Sequence, residues 1–357
     1  MKQEEVPAQK LVGLELKNGW KVVEKYVRTD GLSAGRYSVG YFVERGKEKG
    51  FLKAIDYSRA TEEDDMPAAM LQLVQSFQFE RSVLDQCSAR HMDKVISPRD
   101  DGEVKVDDSQ LGRVNYLIFD RADGDVRNTL AAIETYELVR RLRILHHVAT
   151  GICQLHDAGI AHQDLKPSNV LSFGEISKVS DLGCVSIRGV TGPSDLRACA
   201  GDKDYAPLEL LYGQIDPDFN VRRFGCDCYL LGSLLVFLFS GVGVTCSVLS
   251  HLPAELKPKL PSNGTKAWDG NYRDVLPYVQ NAFGQSMGEF ATEIRNSELR
   301  LALSRIVRQL CEPDPALRGH PLARRQKSGN PFALERYRTE FDLLATRASL
   351  GFFPEEK

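Results

Sequence analysis

The segment IAHQDLKPSNVL, residues 160–171, sets a carboxylate (Asp164) two residues before an ammonium (Lys166) and five before a carboxamide (Asn169). An acid and a cation held together in this way are the means of proton transfer and charge stabilisation, so the spacing suggests catalysis. The plainer alternative is a polar helix-to-strand turn with ordinary capping. Twelve residues after Asn169 comes Asp181-Leu182-Gly183, which taken alone is a common turn tripeptide. Upstream, Lys53 in FLKAID and Glu80 in FQFERSVLDQC are further candidates. In isolation they read as surface charges; their order and setting change that.

The elements that must hold these residues are legible. GWKVVEKYV, GRYSVGYFVERG and KGFLKAID alternate apolar and polar residues and predict three strands in a meander. The acidic linker TEEDDMP precedes a helix expected over 68–89, the turn-rich acidic stretch SPRDDGEVKVDD follows, and VNYLIF reads as another strand. From Tyr136 on, Val139, Leu142, Leu145, Val148, Ile152 and Leu155 step by threes and fours, and Gly159 suits the left-handed end of that helix. Asp164 therefore falls in a loop just beyond a long amphipathic helix. VLSFGEISKVSD predicts a hairpin with its turn at 173–175, and helices dominate beyond 206. The fold class expected is α+β: a small strand-rich lobe at 20–122 and a larger helical lobe at 123–329, joined through 120–125. An extension at 1–19 and a helical tail at 330–357 flank them.

Composition is that of an ordinary globular chain, with 42% hydrophobic and 27% charged residues among 357. The net charge of −3 supplies no basic field for nucleic acid or anionic membrane. The short basic cluster of Arg318, Arg324, Arg325 and Lys327 reads as solvated or structural. Eight cysteines without a CxxC pair argue against a zinc ribbon or a disulfide scaffold and predict reduced thiols. With the polar start MKQEEVPAQK, which lacks the apolar core of a signal peptide, they predict a cytoplasmic protein. From Cys228 to Ala254 the chain has no Asp, Glu, Lys or Arg, long enough for a membrane span, but Gly232, Gly241 and Gly243 interrupt it. A buried central helix is the better reading, and no membrane span is expected.

In this setting residues 162–169 resemble the catalytic loop of protein kinases, H-R-D-L-x-x-x-N, through His162, Gln163, Asp164, Leu165 and Asn169. The resemblance implies that Asp164 orients and deprotonates a substrate hydroxyl, that Lys166 reaches the γ-phosphate, and that Asn169 binds a second Mg²⁺. A lysine at this place is similar to serine/threonine kinases more than to tyrosine kinases. Asp181-Leu182-Gly183 resembles Asp-Phe-Gly, which implies that Asp181 chelates the Mg²⁺ bridging the β- and γ-phosphates. Lys53 matches the third-strand lysine that pairs the ATP phosphates, with Glu80 as its partner and Leu84 packing under Leu182 and His162. Gly31, Gly35 and Ser38 would cover the phosphates, although Ser33, Ser38 and Gly40 depart from the family's glycine pattern. Phe119 would be the gatekeeper, the backbones of Asp120 and Ala122 would bond adenine, Asp125 would reach ribose, and Leu171 completes the expected ATP set. Tyr205–Leu211, YAPLELL, resembles Ala-Pro-Glu with Leu208 inserted, which implies a buried pair between Glu209 and Arg318. Asp227, Tyr229 and Gly232 resemble the start of the central helix.

The resemblance covers roughly residues 20–345 and points to Hanks-type, eukaryotic-like serine/threonine protein kinases, stand-alone bacterial members among them. It implies ATP and Mg²⁺ as cofactors and a protein substrate presenting Ser or Thr. Two alternatives compete. A pseudokinase would account for the irregular glycine loop, for Phe51 where the family has Ala, and for Gln163 in place of Arg, yet Lys53, Glu80, Asp164, Asn169 and Asp181 are all present. A small-molecule kinase shares the loop but generally lacks the Glu209 and Arg318 arrangement. Because Gln163 cannot neutralise a phosphate, activity is expected not to depend on phosphorylation of Ser186, Thr191 or Ser194, with Arg188 and Arg197 as partial substitutes. Trp268, Tyr272 and Tyr278 mark a docking surface or local packing. Leu334, Tyr337, Phe341, Leu344 and Ala348, at helical spacing, predict a tail helix packed on the large lobe.

Overall fold

The computed structural model describes residues 6–27, 38–107, 112–128, 138–259, 267–326 and 329–354. The chain divides into two compact units, Met1–Met92 with Ile96–Asp123, and Asp93–Val95 with Gly124–Lys357. This is the α+β, two-lobed arrangement expected of the sequence.

The first unit is an antiparallel sheet of β1 (Lys21–Lys25), β2 (Ser38–Arg45), β3 (Glu48–Ile55), β4 (Pro98–Lys105) and β5 (Arg113–Asp120), in the order β1-β2-β3-β5-β4. One face carries Val22, Tyr41, Val43, Leu52, Ala54, Tyr116 and Ile118 into a single apolar core with Trp20. Each such buried side chain contributes roughly 1.5–3 kcal/mol. Ala8, Leu11 and Leu16, from the stretch read as an extension, belong to this core, and the Tyr41 hydroxyl donates to the Ala8 carbonyl at 2.7 Å. Helix α1 (Met66–Ala89) starts where the Asp65 carboxylate accepts the Ala68 N–H at 3.1 Å, with Pro67 in its first turn. It begins two residues before the expected start.

Strand β4 corrects the sequence reading, which took SPRDDGEVKVDD for turn. Its Asp100, Asp101 and Glu103 carry charge unfavourable to strand, but β4 is an edge strand, where charge is tolerated and blocks further pairing. The carboxylates also have partners: Asn18 donates to Asp100, Arg81 pairs with Asp101 at 2.6 Å, and Arg113 pairs with Glu103.

The second unit holds the short strands β6 (Gly124–Asp125), β7 (Ile160–Ala161), β8 (Val170–Phe173), β9 (Ile176–Val179) and β10 (Ser186–Ile187). Its helices are α2 (Leu138–Asp157), α3 (Leu208–Leu211), α4 (Gly225–Ser240), α5 (Val244–His251), α6 (Tyr272–Thr292), α7 (Ser297–Leu310), α8 (Pro321–Arg324) and α9 (Glu335–Ser349). Helix α2 buries Leu142, Leu145, Val148, Ile152 and Leu155, and Gly159 follows at φ +73°. The hairpin β8–β9 turns at Gly174, φ +57°.

Helix α4 is the centre of this unit. The apolar stretch Asn220–Ser240 is long and apolar enough to cross a membrane, but 83% of its most apolar window is buried inside the protein. A Cβ on Gly232 would overlap the Cys311 sulfur and come within 2.8 Å of the Leu310 Cβ, so α4 meets the end of α7 at a distance only glycine allows. Tail helix α9 buries Tyr337, Phe341, Leu344 and Ala345, with Leu334 just ahead of it, and packs on α2. Ala345 takes the buried place expected for Ala348, which is half-exposed. Tyr272 is core, its hydroxyl donating to the Pro313 carbonyl at 3.0 Å, whereas Tyr278 is exposed and Trp268 half-buried.

Candidate active site

The loop between β7 and β8 carries the polar cluster, and its conformation is set by side chains around it. Asp227, fully buried in α4, accepts the backbone N–H of His162 at 2.8 Å and of Gln163 at 2.7 Å. Its Oδ2 also lies 2.8 Å from His156 Nε2, and the His156 ring stacks on Phe224. A charge taken out of water needs such partners, and here they fix the turn that presents Asp164. Gln163 adopts φ +64°, a left-handed conformation that few non-glycine residues take. His162 Nδ1 accepts the Asp164 N–H at 3.2 Å, so the ring proton sits on Nε2 and donates to the Ser180 carbonyl at 3.0 Å.

Asp164 is buried and its two oxygens are held apart in role. Oδ1 accepts the Asp202 N–H at 2.8 Å, while Oδ2 accepts Asn169 Nδ2 at 3.0 Å and lies 3.2 Å from Lys166 Nζ. Asn169 Nδ2 also donates to the Asp164 carbonyl at 2.8 Å. With its amide nitrogen so committed, the Asn169 carboxamide turns its oxygen the other way. Lys166 is shared, with Asp202 Oδ2 also at 3.2 Å. Burial raises the Asp164 pKa; Lys166 lowers it and Asp181 raises it again. Burial opposes the Lys166 ammonium, but Asp164 and Asp202 outweigh it and hold its pKa above the ordinary lysine value.

Asp181 follows β9 at φ +61° and is exposed, ahead of buried Leu182. The Asp181 carboxylate lies near enough to Asp164 to raise its pKa. Cys184 lies in the same field: burial, with Asp164 and Asp181 adding to it, pushes its thiol up to about 12 and leaves it a poor nucleophile. Leu171 sits in β8 opposite Asp125 of β6, and both Asp125 oxygens accept from Asn128, at 2.8 and 3.0 Å.

In the first unit Lys53 Nζ meets Glu80 Oε1 at 2.8 Å and Oε2 at 3.1 Å. The pair links β3 to α1, and Glu80 is buried while Lys53 keeps some exposure. Leu84, one turn further along α1, is buried. Cross-strand register places Gly40 opposite Lys53 and Phe42 opposite Phe51, so all four share the face away from the core. On that face Phe51 packs edge-on against Tyr26 and Phe42, at 5.4 and 6.2 Å between ring centres, and the Arg121 guanidinium lies 3.8 Å over Phe42. Ser38 opens β2 and is buried; Phe119 is buried in β5 opposite Phe51. Asp120 ends β5 with its carboxylate on Arg99 at 2.6 Å, and Ala122 follows outside any strand. Gly31, Ser33 and Gly35 lie outside the described residues.

The protein kinase domain family matches residues 32–251, more than half of the chain. The chain belongs to that family. The kinase is similar to the serine/threonine-protein kinase PTK1/STK1 of Saccharomyces cerevisiae, 36% identical over 121 residues, 29% of this chain and 18% of that protein. It is also similar to the serine/threonine-protein kinase PTK2 of Candida glabrata, 25% identical over 197 residues, 49% of this chain and 24% of that one. A third relative is a probable myosin light chain kinase of Dictyostelium discoideum, 38% identical over 93 residues, 25% of this chain and 26% of that protein. The matches thus span about a quarter or less of these relatives' own length.

Other features of the kinase fit the same frame. Arg318 donates to both Glu209 oxygens, at 2.6 and 2.8 Å, with the arginine wholly buried. Arg318 is therefore structural, while Arg324 and Arg325 of the same basic cluster are exposed, and Lys327 lies outside the described residues. Of the three hydroxyls whose phosphorylation is expected not to govern activity, Ser186 is 1% and Ser194 5% exposed, and Thr191 alone is open to solvent. Arg188 is engaged with Asn220 and stacks over Phe219 and Phe224. Two residues the motifs did not single out touch Asp164: Asp202, and Gly201, where a Cβ would stand 2.6 Å from Asp164 Oδ1. Nothing in residue type separates Asp202 from its neighbour Asp204; only the fold does.

Proposed function

We propose that this kinase transfers the γ-phosphate of ATP to Ser or Thr hydroxyls of protein substrates, using Mg²⁺, and that it works in the reducing cytoplasm, where its eight free thiols persist. The observation that carries the reading is the seating of Asp164, held from Oδ1 by the Asp202 N–H and from Oδ2 by Asn169 and Lys166. A carboxylate fixed by such bonds is pre-aimed at a hydroxyl, and burial raises its pKa toward the range where it accepts a proton effectively. Lys166, kept charged by Asp164 and Asp202, supplies the cation that steadies the equatorial oxygens of the transferred group. Lys53, oriented by Glu80, would grip the α- and β-phosphates.

The residues present suit Mg²⁺. The Asn169 amide nitrogen is committed to Asp164, which leaves its carboxamide oxygen as a donor, and Asp181 places a second carboxylate near Asp164. Such hard oxygen donors favour a small dication, and Asn169 and Asp181 would hold it. Among the described residues no three His, Cys, Asp or Glu side chains gather as a metal cage; a Mg²⁺ shared with nucleotide phosphates needs none. When bound, it would neutralise charge on those phosphates.

The test is transfer of labelled phosphate from Mg-ATP to the protein itself, to a generic Ser/Thr protein and to small metabolites, beside Asp164→Asn. Label on the protein acceptors with wild type and none with the variant is the expected result. Label on a metabolite alone would overturn the assignment, as would unimpaired transfer by the variant.

A further inference from the structure

Gln163 precedes the proposed base and stands where the family carries arginine, yet it is not idle. Its Nε2 donates to the Cys184 carbonyl at 2.9 Å and to the Ser186 hydroxyl at 2.7 Å, and its Oε1 accepts from Arg223 Nη1. Arg223 comes from the turn that leads into α4, and its side chain is 5% exposed. The other end of its guanidinium pairs with Asp195 Oδ1 at 2.8 Å and bonds the Asp195 carbonyl at 3.2 Å. Asp195 in turn accepts from the Ser186 hydroxyl and, at 2.6 Å, from the Gly192 N–H. The four side chains close a ring, Gln163 to Ser186 to Asp195 to Arg223 and back.

A buried guanidinium needs an anion, and breaking such a pair leaves an uncompensated charge. Here the anion belongs to the segment between Asp181 and Tyr205 itself. The ring therefore ties that segment to the residue whose backbone carries Asp164, without any phosphoryl group. The burial of Ser186 and Ser194 agrees, because neither hydroxyl is presented for modification. Arg222 adds a second clamp on the same stretch, Nη2 donating to the carbonyls of Asp195 at 3.0 Å and Arg197 at 2.8 Å.

We propose that Asp195 and Arg223 are positioning residues: their ion pair orders the segment around Gln163, and so aims Asp164, in the unphosphorylated chain. The inference rests on the kinase reading above for its catalytic consequence. Arg223 is too buried for its removal to be a clean probe, so the test uses Asp195→Asn, Asp195→Glu and Thr191→Ala in the full-length protein. Expected for Asp195→Asn is a kcat about tenfold lower, with KM for ATP within about twofold of wild type and a lowered melting temperature, because buried Arg223 loses its anion. Asp195→Glu restores part of the loss, and Thr191→Ala or prior phosphatase treatment leaves kcat unaltered. Wild-type kcat in Asp195→Asn, or loss of activity on phosphatase treatment, overturns the proposal. Amide hydrogen exchange over residues 184–197 separates the two readings, since it needs no turnover. Faster exchange there in Asp195→Asn supports the ring even if wild type transfers no phosphate, an outcome that sinks only the kinase activity. Unchanged exchange sinks the ring.

Discussion

The backbone of Gly201 runs against Asp164 so closely that a methyl group there would stand 2.8 Å from the Asp164 Cβ and 2.5 Å from the Gln163 carbonyl oxygen. Contacts that short do not occur, and the nearest atoms belong to backbone and to a short side chain, which cannot swing away. Gly201→Ala is therefore expected to displace Asp164 and lower kcat by about a hundredfold or more, because a misplacement near 1 Å costs on that order. Steady-state kinetics beside circular dichroism checks it: a folded variant with wild-type kcat would refute the close-contact argument.

The pH dependence follows from Asp164. Burial, Lys166 and Asp181 together leave its pKa above that of an ordinary aspartate. As the base it must be ionised, so kcat/KM falls as pH drops through that raised value. The acid limb should thus begin at higher pH than a solvated carboxylate would give. Asp181→Asn removes a nearby negative charge that raises the pKa, so although loss of a proposed Mg²⁺ ligand lowers kcat/KM throughout, the limb of the remaining activity shifts to lower pH. A pH series of kcat/KM for both proteins measures it; a limb that stays put or moves upward contradicts the coupling. The sign for stability is opposite: ionising a group whose pKa is raised on folding costs the fold something as pH rises through it.

Glu209 and Arg318 form a bidentate pair with neither side chain appreciably exposed. Glu209→Ala leaves a buried guanidinium without its anion, and about 3–5 kcal/mol of stability should be lost. Replacing both, Glu209→Leu with Arg318→Met, should recover much of that, because two apolar groups leave no stranded charge. Urea denaturation of the three proteins decides it, and an undiminished midpoint for Glu209→Ala would show the pair to be dispensable.

Phe51 shares a sheet face with Lys53 and packs against Phe42 and Tyr26. If ATP lies on that face, the ring narrows its seat. Phe51→Ala should lower KM for ATP severalfold while kcat changes little, because the variant alters ground-state binding and leaves Asp164 in place. A raised KM would mean instead that the ring stacks on the base.

Much of this protein is written locally. The alternation in β1 to β3, the threes and fours of α2, the hairpin at Gly174 and the glycine after α2 each depend on neighbours within a few residues, so sequence alone specifies them. The pairing of Lys53 with Glu80 follows from residue order, and the gathering of Asp164, Lys166 and Asn169 from their short spacing. What surrounds them follows from neither. Strand β4 looks like turn until its edge position and charged partners are known, and residues 8–16 look peripheral until Trp20 and Tyr41 gather them into a core. Gly201, Asp202, Asp195 and Arg223 carry no periodic signal, since their roles come from contacts with residues about 30 to 60 positions away. Local propensity chooses the elements and offers the chemistry. Only long-range packing decides which acid meets which cation, because a buried charge is stable only where the fold brings its partner.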